Sequence, residues 1–205
     1  MKPLWNIIAV VLVVSTMTMA ISCSKKLRST GFLSDYSNLK PEDGSLRYVD
    51  TGLLGDYSQF IIEPVRVRIY HKLQSSKPDS ATLTALANYM HNAIINAVGD
   101  RYEIVSQAGP GVARIRIAIT DIESSLPVFN VLPQTRLTGE ALGGASLEAE
   151  LLDSESGVQI GAVIESRKSS KLSLASLSDW GDAQSVMDHW AKRFRERLDE
   201  AHGRK

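Results

Sequence analysis

The first pattern along the chain is a single long apolar run, Leu4 to Ile21, diluted in its second half by Ser15, Thr16 and Thr18. Beyond it the apolar positions become periodic. Phe32, Leu33, Tyr36 and Leu39 recur at helical spacing, which predicts a segment that packs on the domain and not a free linker. Val65, Val67 and Ile69 alternate with Arg66, Arg68 and Tyr70, the pattern of a half-buried strand. Leu83, Leu86, Ala87, Met90, Ile94 and Val98 form a helical stripe. Lys77-Pro78-Asp79-Ser80 starts that helix, because proline gives up a donor the first turn does not need and Asp or Ser can cap it; Gly99 ends it. Tyr102 to Val105 reads as a short strand, and Gly109-Pro110-Gly111 breaks the chain after it. Ile115, Ile117 and Ile119 alternate with Arg114, Arg116 and Thr120 in a second long strand. Leu147, Ala149 and Leu151 alternate with Ser146, Glu148 and Glu150 in a third. Asp153 to Gly157 is a hairpin connection to a fourth, carrying Val158, Ile160, Ala162 and Ile164. A last helix, Gly181 to Ala201, would bury Val186, Met187, Trp190, Phe194 and Leu198.

Strand, helix, strands, helix in that order predicts an α+β fold. The expected form is a two-layer sandwich, with a mostly antiparallel sheet of four to five strands and two helices on one face. The expected organisation is a leader at 1–22, a tether at 23–57 that partly packs on the domain, and the domain itself at 58–205.

Composition changes the picture at one atom. The chain has one cysteine in 205 residues, Cys23, and it stands where the apolar run ends. A positive start (Lys2), an apolar stretch and small residues before a cut describe a secretory leader. Ala20-Ile21-Ser22-Cys23 resembles the lipobox of bacterial lipoproteins, with alanine where leucine is more usual. The other reading of the run is an uncleaved anchor, for which about 20 apolar residues are typical. The unpaired cysteine favours processing, since an exported protein normally pairs its thiols or lacks them. The resemblance implies a diacylglycerol and an N-acyl chain on Cys23 and no other cofactor. One chain binds membranes marginally, so stable mooring takes more than one. By likeness to enterobacterial sorting, Ser24 in place of aspartate favours the outer membrane, with the domain in the periplasm or at the cell surface. Cleavage removes Lys2 and no acid, leaving 22 basic against 23 acidic side chains. That balance gives no global field to attract nucleic acid.

Several stretches resemble a family of bacterial lipoproteins known only as domain of unknown function 3313. They are FLSDYSNLKP at Phe32–Pro41, YVD at Tyr48–Asp50, PGVARIRIAITDIE at Pro110–Glu123, EAELLDSESG at Glu148–Gly157 and WGDA at Trp180–Ala183. The likeness spans nearly all of the chain after Cys23. It departs at Thr51, where proline would follow the aspartate. The family supplies no catalytic or binding residue to carry over.

Two regions remain as candidate partner-binding sites. Arg66 and Arg68 share one strand face, Arg114 and Arg116 another, and Glu148 and Glu150 a third. Neighbouring strands would turn these into a ladder of opposite charges on the outer sheet face, each pair contributing roughly 0.2–1 kcal/mol. A solvated, self-paired surface is the plain reading; a docking face for an anionic headgroup or partner is the functional one. Leu126 to Gly144 lacks a clear period but carries Phe129, Leu132 and other apolar residues, and either covers the core or meets a partner. Asp182 reads as a helix-dipole aspartate. Arg193, Arg195 and Arg197 read as solvent-side charge on the last helix. His71, His91, His189 and His202 are scattered without metal spacing, and no G-x-S-x-G or phosphate-binding glycine motif occurs. The expectation is a non-enzymatic, lipid-anchored envelope protein that binds an envelope partner. A binder of a small lipid or glycan is the alternative, and it needs a cavity of about 300–1,000 Å³.

Overall fold

The computed structural model describes residues 27, 29–69, 78–123, 143–169 and 180–204. The leader, Cys23, Tyr70, His71, Phe129 and Leu132 lie outside these residues.

The spine is a 12-residue strand whose alternating isoleucines were legible in the sequence. In chain order the elements are β1 (Lys40–Glu42), β2 (Ser45–Val49), α1 (Thr51–Leu54), β3 (Gln59–Ile62), β4 (Arg66–Val67), α2 (Ser80–Gly99), β5 (Glu103–Ile104), β6 (Val112–Glu123), β7 (Gly144–Asp153), β8 (Gln159–Lys168) and α3 (Gly181–Ala201). The class is α+β, as expected, but the sheet has eight strands, not four to five. Its order is β1-β2-β8-β7-β6-β3-β5, with β4 also paired to β6. From β1 through β2, β8 and β7 to β6 each strand runs antiparallel to the next; β3 and β4 lie parallel to β6, and β5 parallel to β3.

The extra strands have local causes. Asp43 and Gly44 both take positive φ, 47° and 78°, between paired Glu42 and Ser45. Positive φ at both central residues is the two-residue turn whose twist suits a hairpin, and it makes β1 and β2. β2 then pairs with β8, so part of the stretch read as a tether belongs to the sheet. The strand expected at 65–69 shortens to β4, and β3 forms ahead of it, with Pro64 between the two. Lacking an N–H, the proline cannot continue a ladder, and β3 and β4 dock on β6 separately on either side of it.

α2 begins where expected, with the Asp79 carboxylate accepting from the Thr82 N–H at 2.6 Å. α2 and α3 pack on each other and on one sheet face. Ile115, Ile117, Leu147 and Leu151 meet Met90, Ile94, Met187 and Trp190 in one buried cluster. Phe60 of β3 and Tyr102 stand edge to face, centroids 5.5 Å apart, a preferred aromatic geometry. Among the described residues no helix is long and apolar enough to cross a membrane.

Candidate functional site

The sheet's outer face is where the structure departs most from expectation. Glu148 and Glu150 are not solvated: they are 0% and 3% exposed. The segment from Thr30 to Leu39 crosses over them as a strap. Its Phe32 and Leu33 are buried against Ala118, Ala162 and Ile164, with Tyr36 and Leu39 packed alongside. The helical spacing of those four residues therefore marked packing on the chain's own domain.

Burying a carboxylate is costly unless its oxygens find donors. Glu148 accepts from the Thr30 N–H and from the Tyr36 hydroxyl, the latter at 2.6 Å. Glu150 accepts from the Ser34 N–H at 2.8 Å, the Ser34 hydroxyl at 2.7 Å, the Gln159 amide at 2.9 Å and the Arg116 guanidinium. Four of these six bonds come from the strap, so the acids hold the strap and the strap makes their burial tolerable. Burial, and then the bond to Glu148, pushes the Tyr36 hydroxyl above its ordinary pKa.

The candidate arginines divide. Arg116 lies opposite Glu150 in the register, pairs with it, and reaches Glu63 at 3.6 Å. Arg114 pairs with Glu63 at 3.3 Å. Arg116 and Arg68 also stack over the Phe32 ring at 4.9 and 5.8 Å, a geometry that attracts a cation to the ring face. Arg66 and Arg68 are exposed. Of the expected charge ladder, β6 and β7 hold one cross-strand pair, Arg116 with Glu150, and the two acids lie buried beneath the strap. Arg114 and Arg116 are engaged by Glu63 and Glu150. Asp182 is fully buried in the first turn of α3 and accepts the Gly143 N–H at 2.8 Å, tying the start of β7 to the helix. Among the described residues no three His, Cys, Asp or Glu side chains are grouped to hold a metal.

The opposite face holds a cavity of about 160 Å³ between the sheet and α3. Ile117, Leu147, Ala149, Val163, Trp190 and Phe194 line it, together with Arg47, Arg193 and Arg197. Its volume falls short of the roughly 300–1,000 Å³ of ordinary small-molecule pockets. The sequence reading missed this stripe. Residues 190, 193, 194 and 197 stand at i, i+3, i+4 and i+7, so indole, guanidinium, phenyl and guanidinium share one helix face. Arg195 points elsewhere, to Asp199 at 2.7 Å and Asp100 at 3.1 Å.

The architecture defines a class: an α+β sandwich whose outer sheet face is closed by its own N-terminal segment over buried acids. The matched family model covers residues 28–194, and the chain belongs to that family, described as protein of unknown function (DUF3313). No curated protein matches the chain. Among solved structures, a single-substitution variant of the PelC dodecamer from Paraburkholderia phytofirmans is similar at 12% identity and a TM-score of 0.45, covering 75% of this chain and 95% of that one. Protein XCC0632 from Xanthomonas campestris, of family DUF330, is similar at 12% identity and 0.41, covering 67% and 81%. A protein from Caulobacter crescentus CB15, provisionally called a lipoprotein, is similar at 10% identity and 0.30, covering 76% and 96%. Likenesses this distant decide nothing about what this chain does.

Proposed function

We propose that the protein is a lipid-anchored, non-enzymatic component of the bacterial cell envelope that presents its domain to an envelope partner. The observation that carries this reading is the strap's position directly after the lone cysteine at the end of the apolar run. Six residues lie between Cys23 and Thr30, and the seven steps from one to the other span at most about 25 Å when fully extended. Thr30 is bonded to Glu148, so an acylated Cys23 would hold the domain close to the membrane, with its strapped face on the anchor side. The helical face, α2 and α3, would then be turned toward a partner. The buried acids fit this role better than catalysis, because their oxygens are committed to internal donors.

The test is metabolic labelling with a fatty acid in cells expressing the full chain. Label should be incorporated by the wild type and lost in Cys23→Ala. Equal labelling of both, or a native molecule that begins at Met1 with a free thiol at position 23, sinks the reading. Crosslinking in intact envelopes should then capture one protein partner through the α2–α3 face; recovery of lipid alone would favour the ligand-binding alternative.

A further inference from the structure

We propose that the cavity between the sheet and α3 is a binding site for a small amphipathic carboxylate, such as a medium-chain fatty acid, independently of how the chain is anchored. Three observations converge on it. First, the walls are mostly apolar, and at about 160 Å³ the space is of the size, roughly 150 Å³, that takes up a benzene-sized group. A whole phospholipid or an oligosaccharide is too large and the second too polar, whereas an apolar segment of about six to eight carbons fits.

Second, the charge of the lining is one-sided. Arg47, Arg193 and Arg197 are its cations, and their side chains are 21%, 45% and 42% exposed. The two acids in the lining are already committed: Glu150 to Arg116 and the strap, Glu165 to Arg167 at 2.9 Å. The arginines' own partners lie outside the lining. Arg193 pairs with Glu196 at 2.9 Å, and Arg197 reaches Glu200 at 3.5 Å and Glu42 at 3.6 Å. Arg47 holds Glu42 at 2.6 Å. Such exposed pairs contribute roughly 0–1 kcal/mol, so a guanidinium can turn to a carboxylate placed bidentately against it at little cost.

Third, a lining residue carries a buried donor with no acceptor among the described residues. Trp190 is 7% exposed, and its buried indole N–H has no hydrogen-bond partner among the described residues. Buried polar groups normally have one, and each exception calls for an explanation. Trp190 stands on the same helix face as Arg193 and Arg197, so tail-binding wall, indole donor and guanidiniums belong to one stripe.

The experiment uses the full chain in lipid nanodiscs, with tryptophan indoles labelled by nitrogen-15 and empty discs as blank. Trp5→Phe and Trp180→Phe assign the three signals. Octanoate should shift the Trp190 indole resonance saturably, and octylammonium should bind about tenfold more weakly or worse, since it meets like charge. Arg193→Gln with Arg197→Gln should weaken octanoate by about tenfold. Val163→Phe, which fills the space, should abolish the shift. Absence of a saturable shift with octanoate overturns the proposal. So does equal binding of octylammonium, or unchanged binding in the arginine double variant. The two arginines are surface residues, so their variant keeps the test decisive should Val163→Phe fail to fold.

Discussion

Tyr36 and Glu148 show how one hydroxyl decides whether a charge can be buried. Removing that hydroxyl leaves a fully buried carboxylate oxygen short of a donor, which costs about 1–3 kcal/mol. Tyr36→Phe should therefore lower the melting temperature, by about 2–4 °C per kcal/mol for a chain of this size. Glu148→Gln should also destabilise, but the double variant should lose less than the two losses added, because the pair shares one bond. Strict additivity in thermal melts would show that the bond contributes nothing. Tyr89 makes a second testable link, donating to Asp188 at 2.8–2.9 Å between α2 and α3. Burial, and then that bond, pushes its pKa up to about 12 from an ordinary 10. A raised folded-state value means the contribution is whole below pH about 10 and is lost as pH climbs toward 12. Tyr36, Tyr57 and Tyr102 are also raised, so Tyr89→Phe should shallow the alkaline loss of stability without removing it. An unchanged slope between pH 10 and 12 would refute the assignment.

The elements differ in how openly the sequence announces them. α2, α3 and β6 to β8 were legible because each buries one face through many residues, and the periodicity survives local exceptions. β1 and β2 were not, being short, charged and interrupted by proline; their one clear signal was Asp43-Gly44, a hairpin pair that needs no hydrophobic support. The outer sheet face was misread for a different reason. Alternation separates two sides of a strand but does not tell water from a covering segment, so Glu148 and Glu150 looked solvated. Read together, the two acids and the donors Ser34 and Tyr36 within FLSDY carried the missing information. The strap follows as a unit with its own stability. Phe32 is 4% exposed, and truncating a buried phenylalanine costs roughly 3–5 kcal/mol. In Phe32→Ala, hydrogen exchange at residues 31–39 should speed up while the amides of α2 and α3 keep their protection. Uniform acceleration across the molecule would mean the strap and the core open together.

At the scale of the whole molecule the lesson concerns boundaries. A domain beginning at residue 58 would lack the strap, β1 and β2. It would bare the edge of β8 and leave two buried acids, Glu148 and Glu150, facing water without four of their bonds. An exposed, apolar sheet edge is a template for association. A chain beginning at Thr51 should therefore aggregate, or lose its sharp thermal transition, where one beginning at Ser29 stays monodisperse in size-exclusion chromatography. Equal behaviour of the two would place the N-terminal strands outside the cooperative unit.

The strap also settles how the molecule answers to force. Any pull on the chain ahead of Thr30 reaches the strap's bonds to Glu148 and Glu150 before it can peel β1 and β2 from the sheet. Were the chain moored at Cys23, as proposed, those bonds should act as a sacrificial joint: the strap would yield and lengthen the leash before the sandwich behind it unfolded.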